Sequence, residues 1–94
     1  MPKVQPRSPV RPDADLDEWM VVISTNAFNP AHDEIRVAGR IFNDRRQRYP
    51  DGKWVLTSTL RSPRRLIVTG EIIRTQNTRY RLCERGARED ITLN

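Results

Sequence analysis

The sequence predicts an all-β domain, a small five-stranded antiparallel sheet or partly open barrel, with an extended Pro-rich N-terminal tail. Three observations carry this reading. Short segments between residues 19 and 83 alternate apolar and polar side chains, the period of half-buried strands. Turn-forming groups separate them, among them Asn29-Pro30, Pro50-Asp51-Gly52 and Arg61-Ser62-Pro63, whose residues preset or permit turn dihedrals. No stretch sustains apolar spacing at helical period for more than a turn or two.

Residues 1–15 place four of the seven prolines at positions 2, 6, 9 and 12. Proline fixes φ and lacks an N–H, so this tail is expected to be extended and flexible. Pro6, Pro9, Pro12 and Arg11 also fit the short P-x-x-P-x-R pattern read by aromatic grooves; a solvated tail is the simpler reading. The β domain is placed at 16–83. Trp19-Met20-Val21-Val22-Ile23 reads as a central strand, and Thr25–Asp33 as a loop. In Glu34–Asn43, Ile35, Val37, Gly39 and Ile41 face one way, while Arg36, Ala38, Arg40 and Phe42 face the other. After the Pro50-Asp51-Gly52 turn, Trp54–Leu60 alternates, with Trp54, Leu56 and Leu60 assigned to the core side.

Leu66–Thr75 is expected to form a long strand that bends at Gly70, and Gly39 has the same relation to its own strand. Gln76-Asn77-Thr78 is a tight connection into a last strand holding Tyr80, Leu82 and Cys83. Residues 84–94 form a C-terminal tail or an edge strand. Strands bent by glycine favour a partly closed barrel of the Src-homology-3-like or oligonucleotide-binding-like kind, since closure removes free edges.

Ninety-four residues fit one domain. No run of apolar residues is long enough to cross a membrane as a helix, and Met1–Asp15 has no apolar signal stretch. The one cysteine, Cys83, has no partner for an internal disulfide. A free thiol suits a reducing compartment, so a cytoplasmic location is expected.

Charge is unevenly spread. Residues 1–35 carry three basic and six acidic groups, residues 36–81 twelve and three, and residues 82–94 two and three. The net charges are −3, +9 and −1, within a total of +5. Such a local excess attracts anions. Fifteen of the seventeen basic residues are Arg, a bias that GC-rich coding also produces.

Catalytic groups are scarce. His32 is the only histidine and reads as an exposed loop residue; its neighbour Asp33 does not make a triad. Cys83 has no second ligand for zinc. The acids Asp13, Asp15, Asp17 and Glu18 alternate like calcium ligands but lack the glycine and distal glutamate of a calcium loop, so they read as a solvated linker. No Gly-rich phosphate loop is present. The expectation is a non-catalytic protein without cofactor or metal.

The positive signal is arginine beside aromatic rings. Arg45, Arg46, Arg48 and Tyr49 precede the turn, with Lys53 and Trp54 beyond it. Arg61, Arg64 and Arg65 follow the next strand, Arg74, Arg79 and Arg81 bracket the last connection, and Arg40 lies on the outward face of its strand. Guanidinium forks suit phosphate, and an exposed ring stacks bases. Tyr49 is assigned that role; Trp54, Phe42 and Tyr80 are assigned to packing.

Gly39-Arg40-Ile41-Phe42-Asn43-Asp44, Arg48-Tyr49-Pro50-Asp51-Gly52-Lys53-Trp54, Thr57-Ser58 and Thr75-x-Asn77-x-x-Tyr80-x-Leu82 together cover about half the chain. This half resembles short uncharacterised β proteins of proteobacterial phages and prophages. The resemblance carries no site residues. It implies an accessory protein that binds host machinery, including defence complexes such as CRISPR effectors. The expected partner is therefore nucleic acid, a nucleoprotein complex or an acidic protein surface, with no membrane. The alternative is a phage-encoded inhibitor acting by protein contact; its basic core argues against DNA mimicry, which needs acidity.

Overall fold

The computed structural model describes residues 11–25 and 28–93. Among them run six strands: β1 (Ala14–Ser24), β2 (Glu34–Phe42), β3 (Lys53–Leu56), β4 (Ile72–Arg74), β5 (Arg79–Leu82) and β6 (Ile91–Leu93). Short 3-10 turns lie at Pro30–His32 and Arg64–Leu66. The domain is all-β, but its sheet is mixed rather than antiparallel. β1 pairs antiparallel with β2, and parallel with β5 along Ala14–Leu16 and with β6 along Val22–Ser24. Alternation identifies a strand without naming its neighbours; Asp15 and its parallel partner Arg81 lie 66 positions apart.

β1 begins at Ala14, within the stretch expected to be tail, and both Ala14 and Asp15 are buried. Pro2, Pro6 and Pro9 lie outside the described residues. The acids expected to form a linker belong to β1 or its entry and are used internally. Asp13 accepts from the Arg79 N–H at 2.8 Å, Asp15 from Arg81 Nε at 3.0 Å, and Asp17 from the Glu84 N–H at 3.1 Å.

The register of β1 against β2 shifts between Asp17 and Met20, where Glu18 adopts φ 50°. This bulge turns Trp19 into the core, where it is 1% exposed and its Nε1 donates to the Cys83 carbonyl at 3.1 Å. Gly39 lies against the bulge. A Cβ there would stand 3.0 Å from the Asp17 carbonyl oxygen and 3.3 Å from Trp19 Cα. The glycine expected to bend β2 instead makes room for an irregularity in β1. Leu16, Val37, Ile41, Ile73 and Leu82 complete the most deeply buried layer, each contributing about 1.5–3 kcal/mol by removal from water.

Two sequence expectations are corrected. Leu66–Thr75 is not one long strand: Leu66 ends a 3-10 turn, Gly70 sits at φ 91° in a further turn, and only Ile72–Arg74 is extended. Its two-sided apolar texture arises because Ile67 reaches the core from a turn and Ile73 from a strand. The orientation of β3 is also reversed. Trp54 pairs with Arg40 and Leu56 with Ala38, on the outward side of β2, so Val55 packs on the core while Trp54 and Leu56 are 39% and 54% exposed. Trp54 is therefore not a core residue.

The strand order β3-β2-β1-β5-β4 leaves β3 and β4 at opposite ends, and the sheet does not close into a barrel. The chain beyond β3 crosses this opening. Thr57 and Leu60 still donate to the Val37 and Ile35 carbonyls of β2, and then the Arg61 N–H donates to the Arg74 carbonyl of β4 at 2.8 Å. The Arg74 N–H is bound in turn by Ser62 Oγ at 2.9 Å. The connection after β3 thus meets the opposite end strand β4 at one point and leaves a groove beside it.

Candidate anion-binding groove

The β4–β5 hairpin forms one wall. Arg74 pairs with Arg79 and Ile73 with Tyr80, so the apolar pair faces the core and the two arginines face out. The connecting turn is locked by the Thr75 N–H donating to the Thr78 carbonyl at 2.9 Å. Thr75 and Thr78 are buried, which leaves Gln76 and Asn77 exposed at the tip.

The connection after β2 supplies the second wall, organised by one carboxylate. Asp44 has a side chain 1% exposed and accepts from the N–H groups of Arg46, Arg48 and Tyr49 and from the Arg48 guanidinium. Burial pushes its carboxyl up, but the Arg48 side chain and these N–H donors outweigh that and hold it below the usual carboxylate range. Arg46 and Arg48 then reach across to the hairpin tip: each donates to Thr78 Oγ1 at 3.3 Å, and Arg46 also binds the Asn77 carbonyl. The third side is the crossing segment, with Leu56, Ser58 and Arg61, and Arg36 of β2 beside them.

These walls border four concavities that share lining residues, three of them at the Thr75–Thr78 turn. Arg36 and Arg61 line one; Arg46, Arg48 and Tyr49 another; Arg46, Arg74 and Arg79 a third; and Arg61, Arg74 and Arg79 a fourth. Among the described residues, Asp13, which lies 3.6 Å from Arg46, is the only acid lining them. The arginines divide into two kinds. Arg36, Arg46 and Arg48 pair with Glu34, Asp13 and Asp44. Arg61, Arg74 and Arg79 make no ion pair among the described residues, and share one concavity with Ser62, Pro63, Leu66 and Ile72 and no carboxylate.

Of the residues singled out in the sequence, the groove brings together Arg46, Arg48, Tyr49, Arg61, Arg74 and Arg79. The others lie elsewhere. Arg45 and Arg81 line a separate hollow with Arg11 and Asn43, where Arg81 is bound to Asp15. Arg40 pairs with Glu18 at 2.8 Å and lies over Trp54. Lys53 opens β3, and Arg64 and Arg65 are exposed in the second 3-10 turn; neither group lines the groove. Sequence reasoning missed Arg36, whose signal was its place on the outward face of β2 in line with Arg40. It also missed Gln76 and Asn77, the polar tip around which the groove bends.

No protein-family model, curated protein or solved structure matches the chain. Among the described residues, no helix is long and apolar enough to cross a membrane.

Proposed function

We propose that this protein is a non-catalytic module that binds nucleic acid, alone or within a nucleoprotein complex, through phosphates held in the arginine groove. One observation carries the reading: Arg61, Arg74 and Arg79 converge on one concavity without a compensating carboxylate. Three like charges held together repel one another, a cost that a polyanion removes. Guanidiniums also offer phosphate two parallel hydrogen bonds each. A chain with a free thiol at Cys83 would act in a reducing compartment such as the cytoplasm.

The test is fluorescence anisotropy with labelled single- and double-stranded oligonucleotides across a salt series. Affinity is expected to fall steeply as salt rises, with a log–log slope of about −0.7 to −0.9 per phosphate contacted. Replacing Arg61, Arg74 and Arg79 together by Gln should flatten that slope by about 2–3. Absence of binding at 50 mM salt, or an unchanged slope in the triple variant, overturns the proposal.

A second reading is favoured by a different observation, the exposed Trp54 and Leu56 on the free end strand β3. An unpaired strand edge with apolar side chains accepts an extended segment of another protein. Such docking would serve a phage-type inhibitor of a host defence complex acting by protein contact, and it predicts tight capture of a protein partner that survives high salt.

A further inference from the structure

The groove has an apolar side as well as a basic one. Tyr49, 40% exposed, and Leu56 both line the concavity that holds Arg46 and Arg48, and Leu56 continues into the next one beside Arg36 and Arg61. Strand geometry puts Trp54 on the same face as Leu56, about 7 Å further along β3. Trp54 in turn has the guanidinium of Arg40 at 5.2 Å and that of Arg88 at 5.5 Å from its ring centre. Tyr49 has Arg48 at 5.7 Å. Exposed apolar groups therefore continue from the groove along β3, with a guanidinium at each ring.

We infer that the ligand of the groove is a single strand whose unpaired bases lie against Tyr49, Leu56 and Trp54 while its phosphates follow the arginines; the inference rests on the groove being the nucleic-acid site. Duplex bases are stacked on one another and offer no free face to an apolar wall, whereas unpaired bases stack on aromatic rings and on guanidinium planes. An arginine row without such a wall would grip any polyanion by its charge alone. Here the arrangement supplies both halves of single-strand recognition: an electrostatic track and stacking surfaces beside it. Arg88 adds a cation beside a base placed near Trp54, while Arg40 on the same ring is held by Glu18.

The two tryptophans make the test direct. Trp19 is 1% exposed and Trp54 39%, so a ligand-induced change in emission reports Trp54. Three probes are titrated into the full chain at one salt concentration: a twelve-nucleotide oligothymidylate, a twelve-base-pair duplex and inorganic polyphosphate. The expected result is tightest binding to the single strand, with quenched emission that neither of the other probes produces. A Y49A/W54A variant should bind the single strand about tenfold or more weakly, while its affinity for polyphosphate stays within about twofold. Trp54→Phe, which keeps a ring, should retain most of the single-strand affinity and guards against a folding artefact. Equal binding of all three probes, or a single-strand affinity indifferent to Y49A/W54A, overturns this inference and leaves the groove reading standing. Tighter binding of the duplex does the same. No binding of any polyanion at low salt overturns both.

Discussion

Arg48 Nη1 donates to Thr78 Oγ1 at 3.3 Å, tying the connection after β2 to the tip of the β4–β5 hairpin. Arg46 Nη1 uses the same hydroxyl. Part of the arginine content is thus structural: these two side chains hold the groove open as much as they charge it. Thr78→Val keeps the shape and removes the acceptor. It should cost about 1–2 kcal/mol in urea unfolding while leaving the salt dependence contributed by Arg61, Arg74 and Arg79 unchanged.

Asp44 gives the fold an acid-sensitive point. Its folded carboxyl titrates below its ordinary value, despite burial, because Arg48 and the neighbouring N–H groups bind the ionised form. The unfolded carboxyl titrates at about 3.9, the higher of the two, so the stabilisation is complete above about pH 5 and lost as pH falls through 4 and below. Asp44→Asn should therefore cost about 2–3 kcal/mol at pH 7. The gap between variant and parent should narrow at pH 3, as measured by urea unfolding at both values.

If position rather than total charge governs binding, equal charge losses will have unequal effects. Arg64 and Arg65 lie outside the groove, while Arg61 and Arg74 line it. R61Q/R74Q should weaken oligonucleotide binding about tenfold or more at 100 mM salt. R64Q/R65Q should change it about threefold at most, through the long-range field alone. Parallel anisotropy titrations of the two double variants decide the matter.

Gly86 is held tightly against the β1 bulge. Its N–H donates to the Trp19 carbonyl at 2.8 Å, and a Cβ on it would lie 2.6 Å from the Glu18 carbonyl oxygen. Backbone has to move to admit alanine. Gly86→Ala should cost about 2–3 kcal/mol, lower the melting temperature by about 10 °C or more and shift Trp19 emission to the red.

Cys83 should be a slow nucleophile. Burial raises its thiol, and the charges of Asp15 and Asp17 raise it further. Alkylation by iodoacetamide at pH 8 is expected to be about tenfold or more slower than in the urea-unfolded chain, as followed by mass spectrometry.

The sequence announces β2 most clearly, because Val37, Gly39 and Ile41 on one face are buried while Arg36, Ala38, Arg40 and Phe42 on the other are half-covered, so alternation translates directly into orientation. For β3 the same alternation was legible and its direction was not. An end strand packs only through Val55, and the larger Trp54 and Leu56 on the other side drew the assignment the wrong way. The parallel pairing of β1 with β5 left one trace: alternating acids at 13 and 15 face alternating arginines at 79 and 81, and Asp15 lies directly opposite Arg81. That correspondence has meaning only once the two segments are known to be neighbours. The groove was half legible for the same reason. Arginine clusters are visible in the sequence, but whether each guanidinium meets a carboxylate or solvent is decided by contacts between distant segments.

β1 lies at the centre of the sheet, and one whole side of it is completed by β5 and β6, strands from the last sixteen residues of the chain. A nascent chain that has emerged only as far as residue 78 holds β1, β2 and β3 but has nothing to cover that side. Its long unpaired edge is a template for the wrong partner. The order of synthesis therefore delays the sheet until residues 79–93 have been made, and such distant pairings make its assembly slow.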